Sequence, residues 1–144
     1  MISPAAKAIM VERFGKDNVL ALATAADNVP YVRSVNAYYE NGAFYVITCA
    51  LSGKMRQLSE NPTCALAGEW FTAHGMGESM GWFRRPENAP IAAALRCAFA
   101  EWIDNGHNNF DDPNCVILKI SLTKGTLFSH GTRCDIDFTA EAST

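Results

Sequence analysis

The chain has no cysteine pair at C-x-x-C spacing, no histidines at metal-ligand spacing, no basic excess and no apolar run of membrane-spanning length. Its five cysteines, Cys49, Cys64, Cys97, Cys115 and Cys134, are odd in number and scattered, and Cys64, Cys97 and Cys115 lie inside apolar segments. That pattern points to reduced, mostly buried thiols in a cytosolic protein, not to a disulfide framework. His74, His107 and His130 are far apart, so no metal site is expected. A net charge of -3 argues against nucleic acid as the main partner, because phosphate backbones need a concentrated basic surface. The start of the chain reads as a capped amphipathic helix and not as a secretory leader, which points away from membranes and towards the cytoplasm.

What is present fits one domain over residues 1–144, long enough for a proper core without disulfides or metals. Hydrophobic residues make up 49% against 19% charged, a balance that leans towards burying apolar surface beyond a monomer's core. In the N-terminal helix, over 1–17, Ser3 caps, Pro4 takes the first helical position and Gly15 follows the last turn. Ala6, Ile9, Met10, Arg13 and Phe14 form its mostly apolar stripe, suited to packing on a sheet.

From Asn18 the period becomes that of strands. Val19 to Thr24 and Pro30 to Tyr39 flank a polar turn, Asn41-Gly42 starts a third strand over Phe44 to Thr48, and tight turns in succession make an antiparallel meander. A helix is expected over Lys54 to Glu60, ended by Asn61-Pro62. Strands resume at Thr63 to Ala67, where Gly68 marks a bulge, and at Glu69 to His74, after which the glycine-rich His74 to Gly81 reads as strand end and loop. A second long helix is expected from Pro90 to Asn105, ended by Gly106. The acidic loop after it lacks the ligand alternation of a calcium-binding EF-hand. Cys115 to Leu122 forms a strong strand, Thr123-Lys124-Gly125 turns it into a last one at Thr126 to Ser129, and 139–144 is expected to be a flexible tail. Hairpin-linked strands interrupted by helices predict a mainly β (α+β) fold, a small antiparallel barrel with flanking helices.

Candidate binding residues cluster around Ala43 to Pro62. A helix that begins after the small-residue loop at Ser52-Gly53 presents unpaired N–H groups and the positive end of its dipole, and Lys54 adds a full charge. This is either a seat for a phosphate or a plain Ser cap beside a surface lysine. Arg33 falls on the same strand face as Tyr31, Val35, Ala37 and Tyr39, where it either snorkels to water or meets an anionic ligand. No Ser-His-Asp, Cys-His or paired-carboxylate set presents itself, so no catalytic residue is assigned.

Pro30-Tyr31, Arg33, Phe44-Tyr45, Thr48, Ser52, Lys54, Gln57 and Asn61-Pro62, in this order, resemble the FMN-binding split barrel of the pyridoxamine 5'-phosphate oxidase superfamily. The short length and the His74-Gly75 and Asp135 to Phe138 segments resemble its general stress protein 26 branch. The resemblance implies a homodimer holding two FMN molecules in the clefts between subunits. It places Arg33 and Lys54 on the phosphate or ring edge and Ser52 and Thr48 on phosphate or ribityl oxygens, with Gln57 matching in type. Gly53 stands where the true oxidases usually carry an arginine, and their pyridoxal phosphate-holding C-terminal segment has no counterpart here, so that activity is not expected. Flavin chemistry needs no protein nucleophile. The resemblance therefore implies an FMN-dependent oxidoreductase acting on a small substrate. A non-catalytic flavin-storing or stress-sensing protein is the alternative, and a dimer without cofactor affinity a third.

Overall fold

Three two-residue turns with left-handed backbone set the architecture of this protein, a computed structural model of which describes residues 2–141. Asp27-Asn28 (φ 49° and 67°) and Asn41-Gly42 (φ 47° and 84°) join consecutive strands, a conformation whose twist matches that of the strands it joins. They make one meander of β1 (Asn18–Ala26), β2 (Val29–Glu40) and β3 (Ala43–Cys49). After α2 (Gly53–Glu60), β4 (Thr63–Gly68) turns into β5 (Phe71–Trp82). β6 (Cys115–Ser129) then turns at His130-Gly131 into β7 (Thr132–Asp137). The strands follow the order β3-β2-β1-β4-β5-β6-β7, and β3 also pairs with β6. Six strands thus close an antiparallel barrel and β7 extends it, as the split-barrel expectation requires.

The first helix, α1 (Pro4–Phe14), starts where Ser3 Oγ accepts the Ala6 N–H at 3.1 Å. Its Ala6, Met10 and Phe14 recur at helical spacing and enter the barrel core, where Phe14 meets Phe44 edge-on at 5.5 Å between ring centres. α2 adds Met55 and Leu58 to that core. A second apolar cluster lies on the outer face of β3 and β6, where α3 (Ala89–Ala98) brings Ile91 and Leu95 against Tyr45, Phe83 and Ile117.

The structure corrects several boundaries. The stretch from His74 to Gly81 is not a loop but the second half of β5, and its glycines are there for close approach. A Cβ on Gly75 would stand 2.8 Å from the Ser121 carbonyl oxygen, and one on Gly77 would stand 3.0 Å from the Leu58 methyls. Gly75→Ala should therefore cost about 1–3 kcal/mol, read as an earlier urea midpoint at unchanged slope. Gly68 makes no bulge; it ends β4 opposite Phe71, with Glu69-Trp70 as the turn. Thr123-Lys124-Gly125 does not reverse the chain either. Thr123 is the extra residue where His74 pairs with Lys124 and Gly75 with Leu122, and a one-residue bulge bends β6 without ending it.

The helix expected to reach Asn105 stops at Ala98. Separate turns follow, with Ile103 N–H on the Phe99 carbonyl at 2.8 Å and Asn105 N–H on the Trp102 carbonyl at 3.0 Å. Phe99 stacks on Trp102 at 4.7 Å, so the apolar period outlasts the helix that usually accompanies it. Of the cysteines only Cys64 is buried, its thiol pushed up to about 11 by burial; Cys115 and Cys134 are half-buried, and Cys49 and Cys97 are exposed. Mostly buried thiols were the expectation from apolar neighbours, and strand ends and a helix's outer face explain the difference. A 3₁₀ turn over Phe138–Glu141 takes in the start of the expected 139–144 tail, and 142–144 lie outside the described residues. No helix among the described residues is long and apolar enough to cross a membrane.

Candidate functional site

Ahead of Val35, β2 runs beyond the core, and its first four residues, Val29 to Val32, are exposed on both faces. Arg33 sits at this border, on the face of Val35, Ala37 and Tyr39, as the alternation predicts. Its partner across the ladder is Leu22, which places Thr24 of β1 on the same inner face, one step towards the open end. Arg33 Nη1 donates to Thr24 Oγ1 at 2.8 Å and to the Leu22 carbonyl at 3.3 Å. Its Nη2 donates to Gln57 Oε1 at 2.8 Å, and Thr24 Oγ1 donates to that same oxygen at 2.7 Å.

Thr24 and Gln57 are buried at 3% and 5% exposure, so each hydrogen bond there satisfies a group that water does not reach. Gln57 thus fixes the arginine from behind, by one oxygen that accepts twice. Thr24 was not among the residues singled out from the sequence. Its signal was available: it is a hydroxyl at the inward parity of Leu20 and Leu22 in an otherwise apolar strand.

The second half of the cluster comes from the β3–α2 connection. Lys54, in the first turn of α2, donates from Nζ to Thr48 Oγ1 at 2.6 Å. Burial, and then the nearby Arg33 charge, hold its ammonium below the usual lysine range. Burial alone lowers Arg33 in the same sense. Neither cation forms an ion pair with a carboxylate among the described residues; those found involve Arg84, Arg85, Arg96 and Arg133.

Ser52 occupies the N-cap position of α2, but its side chain makes no capping bond. Its Oγ is buried without a hydrogen-bond partner, while its own N–H turns back to the Cys49 carbonyl at 3.1 Å. Of the two readings of Ser52, the simple cap is therefore not what the structure shows. All five residues expected at the site, Arg33, Thr48, Ser52, Lys54 and Gln57, come together around the start of α2. A Cβ at Gly53 would meet nothing closer than Gln57 Nε2 at 3.7 Å, so the arginine usual in true oxidases is absent without anything filling its place.

Chemically, the arrangement offers two cations, the N–H groups of a helix start and an unsatisfied hydroxyl, the donor set a phosphate monoester requires. It offers no histidine and no acid–base pair. Two cavities elsewhere, of about 570 and about 430 Å3, include none of these residues. The cluster lies beside the exposed end of the β1–β2 hairpin.

No protein-family model matches the chain, and no curated protein does. Solved structures do. A heme binding protein from Mycobacterium smegmatis matches at a TM-score of 0.70 and 18% identity, over 99% of this chain and 61% of that one. The chain thus spans less than two thirds of that neighbour's length. A FAD-binding protein from Mesorhizobium loti matches at 0.63 and 16%, over 82% of this chain and 91% of that one. A Clostridium acetobutylicum protein related to general stress protein 26 of B. subtilis, of the pyridoxinephosphate oxidase family, matches at 0.62 and 13%, over 94% of each chain. At these identities the likeness concerns fold alone, and there it agrees with the fold expected from the sequence: the chain is a split barrel like these neighbours.

Proposed function

We propose that the protein binds FMN as a homodimer and acts as an FMN-dependent oxidoreductase on a small substrate. The observation that carries this reading is the buried, unpartnered Ser52 hydroxyl beside two cations that no described carboxylate neutralises. Holding Arg33 and Lys54 near one another costs energy, and a dianionic phosphate between them reverses the sign of that cost. Lys54, Arg33, Ser52 and the first N–H groups of α2 would hold the phosphate, while Thr48 orients Lys54 and the Thr24–Gln57 pair orients Arg33. Bound there, the flavin ring supplies the electron-pair transfer, and the chain's part is to bind, orient and exclude water. A phosphate suits the cluster better than a haem iron, which asks for a histidine, cysteine, methionine or tyrosine ligand that the cluster does not contain.

The bare hairpin end favours the dimer. Val29, Tyr31 and Val32 at that end are 47%, 41% and 70% exposed, and Leu51 of the β3–α2 connection is 79% exposed. A second copy covering them would both bury this apolar surface and wall the cleft, with about 800 Å2 per partner as the usual size of a stable interface. Sedimentation at micromolar concentration with FMN present should give a dimer; a monomer would contradict the reading.

A non-catalytic flavin protein is the second reading, favoured by one observation. The cluster's polar side chains, Ser52 apart, are engaged with one another, and none is a histidine or a carboxylate. Steady-state turnover with NADH or NADPH and a panel of small acceptors decides between the two. Flavin reduced only as fast as free FMN under the same conditions means storage or sensing.

The pH dependence has a definite sign. In the free protein Lys54 is held low, and a phosphate dianion raises it, so the bound form keeps its proton to higher pH. Affinity is then fully present below the free-state pKa of Lys54 and falls as pH rises through it towards the bound value. At the acid side it weakens below about pH 6, where the phosphate dianion takes up a proton and becomes the monoanion. Flavin fluorescence titrations across this range should show the alkaline loss in the wild type and not in Lys54→Ala.

A further inference from the structure

β3 and β6 place Cys49 directly opposite Cys115. Their backbone groups are engaged elsewhere: the Cys49 carbonyl accepts from Ser52 N–H at 3.1 Å, the Cys115 carbonyl from Phe83 N–H at 2.8 Å, and Cys115 N–H goes to the Asp112 carbonyl at 2.9 Å. One step further out, Ala50 N–H bonds the Asn114 carbonyl at 2.7 Å. Bonded and non-bonded pairs alternate along an antiparallel ladder, so Cys49 and Cys115 form a non-hydrogen-bonded pair. Such pairs have Cα atoms about 4.5 Å apart and side chains close on one face. That separation falls within the span of about 4.4–6.8 Å that a disulfide bridges without moving the backbone. Both side chains share the outer face with Tyr45, Ile47 and Ile117, opposite in direction to Thr48. Cys49 is exposed and Cys115 half-buried, the combination of an attackable thiol and a sheltered partner.

We propose that Cys49 and Cys115 are a hydroperoxide-oxidised dithiol that closes to a cross-strand disulfide. The Cys49 thiolate attacks the O–O bond and takes one oxygen, becoming a sulfenic acid as the hydroperoxide leaves as an alcohol or, for hydrogen peroxide, as water. The Cys115 sulfur then attacks the sulfenyl sulfur; the S–S bond forms, the S–O bond breaks, and the departing hydroxide leaves as water with the Cys115 proton. Overall the two thiols lose two electrons and two protons to the peroxide. An exposed bridge of this kind is open to thiol reductants, which return it to the dithiol. The neighbouring thiols bear on one another electrostatically: Cys115 is raised by burial first, then by Asp112 and Cys49. The site is next to the proposed cofactor loop but does not depend on what that loop holds. The link is the Ser52 N–H bond to the Cys49 carbonyl, through which the bridge would pin the strand end that leads into α2.

The test treats fully reduced protein with one equivalent of hydrogen peroxide and counts thiols after denaturation. The five thiols should fall to three, and peptide mapping should join the Cys49 peptide to that of Cys115 within one chain. Cys115→Ser should form no bridge and leave Cys49 as a sulfenic acid trapped by dimedone, whereas Cys64→Ser should still form it. Should Cys115→Ser fail to fold, the wild-type peptide map alone decides. Retention of all five thiols, a bridge between other cysteines, or a link between two chains overturns the proposal.

Discussion

Replacing Arg33 and Lys54 together by alanine should weaken FMN binding by a factor of about 10² to 10⁴. Each cation removed takes away a charge-assisted contact of about 1.5–3 kcal/mol, and each 1.4 kcal/mol is tenfold in affinity. Either single variant should lose about ten- to a hundredfold, and the double variant their product if the two contacts are independent. The fold should change little. Thr24 and Gln57 still bond each other at 2.7 Å once Arg33 is gone, and the repulsion between the two cations goes with them. Melting temperatures without FMN within a few degrees of the wild type, with affinity lost, separate a binding role from a structural one. Unaltered FMN affinity in the double variant would place the phosphate elsewhere.

Phe44→Ala should cost about 3–5 kcal/mol, a large share of the about 5–15 kcal/mol by which a domain is stable. Phe44 is fully buried and touches three rings: Phe14 of α1, Tyr39 of β2 and Phe71 of β5, at 5.5, 5.5 and 6.1 Å. It joins the helix to strands far apart in sequence, so little can collapse into the space it leaves. A fall in melting temperature of about 10–20 °C is expected at this chain length. A drop of only a few degrees would mean that the barrel repacks around the gap.

How much of this was legible in the sequence depended on the range of the interactions. Ser3-Pro4, Asn41-Gly42 and Asn61-Pro62 act within a few residues, and the elements they start or stop are where local chemistry placed them. The glycine-rich half of β5 was not, because its glycines answer to Leu58 and Ser121, residues distant in the chain. β6 passes through Thr123-Lys124-Gly125 for the same reason: a bulge opposite β5 and a glycine packed on Phe138 look, in sequence, like a turn. The five candidate residues stand in the sequence as a series in order, whereas Thr24 became visible only when the β1–β2 register placed it beside Arg33. That the Ser52 hydroxyl is unsatisfied is a property of the packed connection and of no local pattern.

We expect the cluster of Arg33, Ser52 and Lys54 to hold a phosphate, an expectation best checked by comparing FMN with riboflavin on the wild-type protein. The two ligands share the flavin ring and differ in the phosphate alone, so their difference in affinity isolates the cluster. Fluorescence-quenching titrations at neutral pH should show FMN binding tighter than riboflavin by about 10² to 10⁴, the worth of two charge-assisted contacts. Equal affinities for FMN and riboflavin would contradict it.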